Sequence, residues 1–469
     1  MWARLQDRLS QVKKTSASRT IHHKNTRTQL RRAQSRITGL EAELAHLRTQ
    51  LAPEKVPNHT YPAQMIALAV FMAVQGGASL RCAAATIEFY AKLMGWPYQQ
   101  PSHTTVRDWV LRCGYQAVLD TRQLQGTFVL IIDESIQMGK EKLLLMLGVK
   151  LDPNRCQWAP LRGADVEVLG LEVQPSWASS LIQDFIQRNL AFRPGIEVAY
   201  VISDRGTSIL AALRALNYDW VSDCTHEMMN IVKALFKDDR VMSRLSAQLG
   251  SLRQQLNLAK WSGLLPAALR DKDRFLRIFT IVEWAERMDS YWDKLPPDAR
   301  AKIAFYRKAV TVLRRLRQVK ELAVIASDIL KTAGLCDHSR QLWHKRSRAY
   351  QAKQGVMSHK ATTFIKRMDA YFEQHAALLE HYERLLCCSE IIESTFGRYK
   401  NKGGMKAISA DVLSISLYNQ PITASFIQLA MKTVSCQQAI DWQNENVCHN
   451  HYGLRKRMDK ELKSGTSDG

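Results

Sequence analysis

The stretch TFVLIIDES, residues 127–135, marks the point at which the sequence changes from helical to strand-like patterns. It is short, rich in β-branched and apolar residues, and it ends in two acids, Asp133 and Glu134. Two further apolar runs follow, KLLLMLGVKL at 142–151 and DVEVLGLEV at 165–173. Three short apolar runs separated by turn-forming residues predict an antiparallel meander of three strands.

The next segment alternates helical and strand-like patterns. In chain order these are a helix over 176–190, a strand over 196–204, a helix over 207–217 and a short fifth strand, DWVSDCTH, over 219–226. The order β-β-β-α-β-α-β is that of the ribonuclease H-like fold, in which the first and fourth strands are neighbours. The predicted fold class is therefore α/β, with a core of this type.

Acids at the ends of two of these strands suit phosphodiester chemistry. Asp133 on the first strand and Asp204 on the fourth are 71 residues apart in sequence, yet neighbouring strands would bring them together. Two divalent cations can activate a nucleophilic oxygen and stabilise a leaving one, and Mg²⁺ prefers oxygen ligands such as carboxylates. Three alternatives stay open: Glu134 could replace Asp133 as a ligand, Asp133 could cap a turn, and Asp204 could cap a helix.

A third acid would have to come from a helix packed on the sheet, and SEIIESTFGRYK, 389–400, is the candidate. Its apolar residues share one side of a helix: Ile392, Phe396 and Tyr399. An adjacent stripe offers a carboxylate, a position without a side chain where DNA could approach, and a cation: Glu393, Gly397 and Lys400. Glu390 projects only about 60° from Glu393 at 100° per residue, so periodicity separates the two weakly, and a solvated charged face is the alternative.

The charge balance indicates the kind of partner. The chain has 66 Lys and Arg residues against 44 Asp and Glu, a net charge of +22, which favours a polyanion, most often nucleic acid. A basic surface without a dedicated partner is the alternative. Nine cysteines without a CxxC pair favour a reducing, cytoplasmic setting. The longest apolar run, 65–74, is too short for a membrane span of about 20 residues, and we expect a core helix there.

Residues 1–56 are predicted to form a basic arm and a short coiled coil. Ten Lys or Arg residues and one acid lie within 1–36, which suits an arm that binds a phosphate backbone or, alternatively, a floppy tail. Apolar residues then recur at steps of three and four from Leu30 to Leu51. Such a heptad seam can pair two chains or pack on its own chain.

Residues 57–125 are predicted to form a helical, helix-turn-helix-like DNA-binding domain. Its last helix would start at the cap Ser102 and end at Gly114. The residues of this helix that would face the major groove are Thr104, Thr105 and Arg107.

The remaining segment boundaries follow from changes in composition and in the helical or strand-like pattern along the chain. We expect the first part of the core at 126–235, a helical insertion at 236–385, the glutamate helix and the end of the core at 386–440, and a basic tail at 441–469. The Arg-rich run 314–320 is predicted to be a helix face. The sequence contains neither four-ligand zinc spacing nor a glycine-rich phosphate loop.

Taken together, three motifs resemble the DDE triad of bacterial insertion-sequence transposases: Asp133 in LIIDES, Asp204 in VISDRGTS and Glu393 in SEIIESTFGRYK. In one large branch of that family the glutamate is followed by six residues and a lysine, and Glu393 and Lys400 have this spacing. That branch also carries an arginine four residues before the glutamate, where this chain has Ser389. The resemblance is therefore to the wider family, and the chain is not assigned to that branch.

The resemblance implies a DNA transposase that binds the terminal inverted repeats of a mobile element, cleaves the strands and joins them to target DNA. It implies a bacterial, nucleoid-associated protein that acts on DNA as a homodimer or higher oligomer. Mg²⁺, replaceable by Mn²⁺, would be held by the catalytic acids Asp133, Asp204 and Glu393. Further DNA contacts would come from Lys400, Arg398 and His226, since His226 resembles a histidine that several transposase groups place near the second aspartate.

Two other functions remain open at this stage. A ribonuclease H-like nuclease or resolvase would use the same acids without strand transfer. A catalytically inactive, transposase-derived protein would bind DNA only, although none of the three acids is missing.

Overall fold

The computed structural model describes residues 1–17, 24–50, 55–138, 141–151, 161–256, 261–266, 278–401 and 408–448, with four isolated residues beyond them. Two compact units are present. The smaller consists of Met1–Ala73, Leu80–Trp109 and Ile422–Thr433, and the larger of Val74–Ser79, Val110–Pro421 and Val434–Gly469. None of the described helices combines the length and the apolarity that a membrane crossing needs.

In the smaller unit, the N-terminal arm is helical and packed. Helix α1 (Trp2–Ala17) lies against α2 (Lys24–Gln50), and Leu5 of α1 is buried with Leu40 of α2. Lys13 forms an ion pair with Glu41 at 3.0 Å. The arm therefore has apolar anchors and is not a floppy tail in its described part, because four residues recur along one side of α1: Trp2, Leu5, Leu9 and Val12.

The heptad seam of α2 is used, in part, within the same chain. Ile37 and Leu40 are buried, whereas Leu30 keeps 43 % of its surface exposed. Of the two possibilities left open by the sequence, packing on the chain's own helix is the one seen in the described residues. The last part of the seam, including Leu51, lies outside the described side chains.

Three helices follow in the predicted region: α3 (Ala63–Val74), α4 (Leu80–Met94) and α5 (His103–Asp120). The run at 65–74 forms a core helix as expected, since Met65 and Ile66 are fully buried. Ser102 caps α5 as predicted, because its Oγ accepts a hydrogen bond from the Thr105 N–H at 3.0 Å.

The predicted end of α5 at Gly114 is wrong, since the helix continues to Asp120. A Cβ atom at position 114 would lie 2.5 Å from the Leu413 carbonyl oxygen. Gly114 therefore permits the close approach of a backbone segment some 300 residues away in sequence, and it does not terminate the helix.

The larger unit is built on a mixed five-stranded sheet. Its strands are β1 (Gly126–Met138), β2 (Glu141–Lys150), β3 (Glu167–Gln174), β4 (Ile196–Ser203) and β5 (Trp220–Ser222), in the order β3-β2-β1-β4-β5. The first three strands are antiparallel neighbours, which confirms the predicted meander. Strand β4 pairs in parallel with both β1 and β5, so the expectation that the first and fourth strands are neighbours is also confirmed.

Two predicted strand ends are corrected. Strand β1 runs on to Met138, which places Asp133 inside the strand, paired opposite Leu145, and excludes a turn cap. Strand β5 stops at Ser222 because Asp223 caps the next helix, its carboxylate accepting a hydrogen bond from the His226 N–H. The predicted fifth strand is therefore three residues long and does not include CTH.

The two faces of the sheet carry different helices. Helices α6 (Ser179–Ala191) and α7 (Thr207–Ala215) cover one face, where Leu130 and Ile132 of β1 are buried. Side chains alternate between the faces of a strand, so Asp133 lies on the opposite face from Ile132.

The described part of the segment 236–385 consists of helices joined by turns, as predicted, with one isolated β-bridge between Leu335 and Leu385. Helix α8 (Cys224–Phe236) leads into it, and its helices are α9 (Arg240–Gln255), α10 (Phe279–Tyr291), α11 (Pro297–Ile303), α12 (Val310–Ala333), α13 (Asp337–Gln354) and α14 (His359–Gln374). The Arg-rich run is a face of α12, where Arg317 and Lys320 form ion pairs with α10.

The chain then returns to the sheet with α15 (Glu390–Lys400), which packs against β1. The last described helices are α16 (Ala424–Thr433), in the smaller unit, and α17 (Cys436–Asn446). The Cys448 N–H donates to the Val173 carbonyl at 2.9 Å and so covers the edge strand β3. Most of the predicted basic tail, 449–469, lies outside the described residues.

Two helical glycines give opposite predictions for the same substitution. Gly397→Ala adds a methyl group where nothing lies within 4 Å, so it should stabilise the fold by about 0.5–1 kcal/mol through helix propensity. Gly114→Ala forces a contact of 2.5 Å with backbone and should destabilise it by about 1–3 kcal/mol. Denaturant unfolding of both variants measures the difference, and equal effects would contradict the assigned packing of α5.

Candidate active site

The pairing of β1 and β4 brings two of the predicted acids to one end of the sheet. Ile131 pairs with Ile202 in parallel register, and Asp133 and Asp204 each lie two residues further along. Asp133 is 6 % exposed. Asp204 is half-buried, and its Oδ1 accepts a hydrogen bond from the Gly206 N–H at 2.8 Å. Asp204 therefore stiffens the turn after β4, while the N-cap position of α7 is Gly206.

Glu393 comes to the same place from α15. Ile392 and Phe396 on this helix are buried, as the predicted docking side requires. The Glu393 carboxylate keeps 48 % of its side-chain surface exposed and lies 2.9 Å from His226 Nε2. The helix therefore docks with its apolar side and holds Glu393 at the rim of the site.

Glu390, the other candidate glutamate, is directed elsewhere. It forms an ion pair with Lys331 of α12 and accepts a weak hydrogen bond from Thr225 Oγ1 at 3.4 Å. Glu393 has its partner in His226. The structure thus separates two residues that helical periodicity alone left almost equivalent.

Glu134, the alternative ligand on β1, is not brought to the other acids. It is the next residue after Asp133, so its side chain lies on the other face of the sheet. There it forms an ion pair with Lys142 of β2. Among the acids of β1, the candidate site contains Asp133.

His226 lies at the first turn of α8 and faces the carboxylates. Its Nε2 contacts Glu393, and its Nδ1 lies 3.9 Å from Asp223 Oδ1, beyond hydrogen-bonding distance. Burial alone would lower the pKa of His226, but the hydrogen bond with Glu393 and the charges of three nearby carboxylates raise that pKa to about 9. His226 therefore carries a positive charge at neutral pH.

The three acids and the histidine form one electrostatic unit. Burial, together with the charges of Asp204 and Glu393, raises the pKa of Asp133 to about 7, and the charge of His226 acts in the opposite direction. The hydrogen bond from His226 lowers the pKa of Glu393 below its ordinary value, and Lys331 and Lys400 act in the same direction. The site therefore holds clustered negative charge that one imidazolium compensates only in part.

This donor set fits Mg²⁺ by its chemistry. Mg²⁺ takes carboxylate oxygens in preference to nitrogen or sulfur, and a divalent cation would relieve the repulsion that raises the pKa of Asp133. Asp133, Asp204 and Glu393 are the residues that would hold it. Among the described residues no group of three or more His, Cys, Asp and Glu side chains is already arranged as a metal site, and Glu393 is hydrogen-bonded to His226 instead.

The predicted DNA-contacting residues differ in what they do. Arg398 donates to the carbonyl oxygens of Val74, Gln75 and Tyr418 and stacks on the Tyr418 ring, so it holds backbone segments together. Lys400 is exposed near Glu393.

Two of the remaining predicted residues, on α5, are exposed. Arg107 has its guanidinium 3.2 Å from Asp108, an ion pair at the surface, and Thr104 shares a hydrogen bond of 2.6 Å with Ser102. Thr105 is half-buried, and its hydroxyl lies 2.9 Å from Ser102 Oγ. Arg107 is therefore the long, charged side chain that the first turns of α5 present to solvent.

Two residues that matter to this site were missed from the sequence. Asp223 caps α8, and its carboxylate also accepts hydrogen bonds from Ser389. An acid three residues before His226 at a predicted helix start is the signal that could have identified the cap. No sequence pattern links Asp223 to Ser389, 166 residues away.

The raised pKa of Asp133 gives a pH-dependent prediction. A carboxylate whose folded pKa is about 7, against an ordinary 3.8, binds its proton more tightly in the folded state. Its contribution to stability is therefore complete below about pH 4 and is lost as pH rises to 7, by up to about 4 kcal/mol. Asp133→Asn should remove this part of the pH dependence, so the variant should gain stability relative to wild type between pH 5 and pH 7.

Thermal melts at fixed pH values, with and without Mg²⁺, measure this effect. Millimolar Mg²⁺ should raise the melting temperature of the wild type at pH 7.5 and have little effect on Asp133→Asn. His226 titrates in a separate window, since its raised pKa removes stability between about pH 6.5 and pH 9. Parallel pH profiles for wild type and Asp133→Asn would show that Asp133 is not held as described.

Comparisons with known proteins add no identity to this geometry. No family model matches the chain, and no curated protein matches it at a significant level. The function has to be argued from the arrangement of Asp133, Asp204, His226 and Glu393 and from the charge around it.

Proposed function

We propose that the protein is a DDE transposase that binds the ends of a mobile DNA element, cleaves them and joins them to target DNA. The observation that carries the proposal is that the buried Asp133 on β1 lies within electrostatic reach of Asp204 on the neighbouring parallel strand, of Glu393 on α15 and of His226, which contacts Glu393. The strand order β3-β2-β1-β4-β5, in which β2 alone runs opposite to the other four strands, agrees with a ribonuclease H-like core.

The distribution of charge supports a nucleic-acid substrate. Residues 236–385 carry 29 Lys and Arg residues against 16 Asp and Glu, which accounts for 13 of the net +22. The proposed catalytic residues Asp133, Asp204 and Glu393 are acids, so most of the Lys and Arg residues of this segment lie outside the catalytic group. A polyanion that is bound by basic surroundings and cut at an acidic, cation-requiring centre agrees with both facts.

The reaction divides into two displacements at phosphorus. Water attacks the phosphodiester at the element end, and the 3′-oxygen leaves and takes up a proton. The freed 3′-hydroxyl then loses its proton as it attacks a target phosphodiester, from which the target 3′-oxygen leaves. Mg²⁺, when bound, would favour the attacking oxygen as its alkoxide or hydroxide form and stabilise charge on the leaving oxygen.

The chain's own residues have separate tasks in this scheme. Asp133 is fixed within a strand and Asp204 by its turn, so two oxygen donors are held before DNA arrives. The Nε2–H of His226 donates a hydrogen bond to the Glu393 carboxylate, and the imidazolium keeps a positive charge within the site. Gly397 leaves open space on α15 between Glu393 and Lys400, which a DNA backbone could use.

Two alternative functions share this site. A nuclease or resolvase would perform the first displacement without the second, and an inactive DNA-binding protein would perform neither. The inactive DNA-binding protein is disfavoured by the retained, clustered acids, because a site without a reaction gains nothing from a buried Asp133. Strand joining is the property that separates a transposase from the nuclease.

Substitution of the acids tests the proposal. Asp133→Asn, Asp204→Asn and Glu393→Gln should each reduce cleavage and joining by several orders of magnitude, because each removes an oxygen donor for the cation. Glu390→Gln is the matched control. Because Glu390 pairs with Lys331, this variant should lose less than tenfold, under about 1.4 kcal/mol in the barrier.

The assay follows cleavage of a labelled duplex made from DNA flanking the gene, in Mg²⁺ and in Mn²⁺, and joining of the product to a plasmid. End binding measured in parallel should be nearly unchanged in all four variants. Cleavage without joining by the wild type would favour the nuclease. Full activity of Glu393→Gln, or loss in Glu390→Gln alone, would remove Glu393 from the site.

The role of α5 as the reader of DNA sequence gives a separate prediction. Arg107→Ala should reduce the preference for element ends over scrambled duplexes, since a lost base contact removes about 1–3 kcal/mol of discrimination. Lys92→Ala, an exposed cation on α4 that pairs with Glu88, is the control. It should weaken binding to all duplexes equally or leave it unchanged. Binding measured at several salt concentrations distinguishes the two, and an unchanged preference in Arg107→Ala would exclude this face of α5.

A further inference from the structure

One buried carboxylate lies where the chain segments of the candidate site meet. Asp223 is 2 % exposed and sits between β5 and α8. Its backbone N–H donates to the Ser203 carbonyl at 3.0 Å. Its Oδ1 accepts from the His226 N–H at 2.7 Å. Its Oδ2 accepts from both the N–H and the hydroxyl of Ser389, at 2.6 and 2.8 Å.

Each of these contacts leads directly to a residue of the site. Ser203 is the last residue of β4 and precedes Asp204. His226 belongs to the turn that Asp223 caps. Ser389 immediately precedes α15, which carries Glu393 one turn later. Asp223 therefore joins the segments that carry Asp204, His226 and Glu393.

Ser389 is used for this junction and not for its own helix. It occupies the N-cap position of α15 without a side-chain capping bond, although serine is among the favoured residues there. Its hydroxyl donates to Asp223 instead, and the residue is 4 % exposed. The start of α15 is thus fixed by a contact to α8 in preference to a local cap.

A backbone contact runs beside this junction. The Cys224 N–H donates to the Cys387 carbonyl at 2.8 Å, so the two segments stay adjacent even without the carboxylate. What Asp223 adds is the orientation of the first turn of α15, because its two bonds fix both the backbone and the side chain of Ser389.

We propose that Asp223 is the positioning residue that sets the place of Glu393 relative to Asp133 and Asp204. Its single carboxylate accepts hydrogen bonds both from Ser389 and from the first turn of α8, and so fixes the two helices relative to each other. The proposal rests on the proposed function, since it concerns the acids of that reaction. Asp223 does not touch the reacting atoms and acts only through α15 and α8.

The chemistry of the junction selects the test. All the groups around the carboxylate are donors, namely two backbone N–H groups and one hydroxyl. A carboxylate accepts at both oxygens, whereas an amide of the same shape presents NH₂ at one of them. Asp223→Asn therefore sets a donor against the donors of Ser389 or of His226 without changing side-chain volume.

We expect Asp223→Asn to raise the Mg²⁺ concentration for half-maximal cleavage at least tenfold. The maximal rate should fall less, and binding of end DNA should not change. A merely structural defect would lower the amount of active protein and leave the half-maximal concentration as it was. Partial recovery of the rate at high Mg²⁺ is part of the expected result.

Asp239→Asn is the matched control. Asp239 caps α9 by accepting from the N–H groups of Val241 and Met242 at 3.1 Å, its carboxylate also forms an ion pair with Lys360 of α14 at 3.1 Å, and none of its described contacts is with α15. The same chemical change at this cap should lower thermal stability to a similar degree without changing the Mg²⁺ dependence.

Ser389→Ala provides a second, milder variant in case Asp223→Asn does not fold. It removes the hydroxyl bond and keeps the backbone bond, so a three- to tenfold rise in the half-maximal Mg²⁺ concentration is expected. In the double variant, Ser389→Ala should add little to Asp223→Asn, because both act on one contact.

The outcomes separate the two proposals. If the wild type cleaves DNA, and both Asp223→Asn and Ser389→Ala need the same Mg²⁺ concentration for half-maximal cleavage as the wild type, the positioning role is overturned and the proposed function stands. If the wild type neither cleaves DNA nor gains thermal stability from Mg²⁺, the proposed function fails, and the positioning role is overturned with it.

Discussion

The desolvated carboxylate of Asp133 is the constraint on which the larger unit depends. A charge inside a strand loses the hydration that stabilises it, and here two further acids lie close enough to raise its pKa. A fold under selection for stability alone would place an apolar residue at such a position, as β1 does on its other face with Leu130 and Ile132. The surrounding elements are arranged so that this unfavourable group is kept and partly compensated.

The compensation comes from elements that are distant in sequence. His226 brings a positive charge from the start of α8, and its hydrogen bond with Glu393 ties α15 to the same point. A positive group beside three acids lowers the repulsion but does not cancel it. Negative charge therefore remains at the site, and the order of the strands, the cap of α8 and the docking of α15 keep these groups close together.

Much of this arrangement could be predicted from the sequence, because local patterns of apolar residues and the order of the elements indicate it. Apolar runs of five to nine residues identified the strands, and an expected pairing of the first and fourth strands placed Asp133 beside Asp204. The docking side of α15 followed from the spacing of Ile392 and Phe396. The strands and the docking side depend on residues close together in the chain, whereas the pairing of the first and fourth strands was expected from the order of the elements.

The features that were missed depend on contacts between distant residues. Gly114 has the appearance of a helix end, but its role is set by the Leu413 carbonyl. Glu393 was preferred to Glu390 from the sequence, but the partners that separate the two residues, His226 and Lys331, are not revealed by any pattern around residue 390. Arg398 resembles a phosphate contact, yet three carbonyl oxygens of other segments take its donors. Tertiary partners decide what each of these residues does, and sequence periodicity contains no information about them.

Glu390 couples the helical segment between α8 and α15 to the site. Lys331 lies near the end of α12 and pairs with Glu390 in the first turn of α15. Glu393 follows one turn later, and the charge of Lys331 contributes to the lowered pKa of that residue. A shift of α12 would therefore change both the position of α15 and the charge felt by Glu393. This segment also carries more than half of the excess positive charge of the chain. The two glutamates of α15 thus divide the work: Glu390 links the helix to the basic segment, and Glu393 faces the other acids.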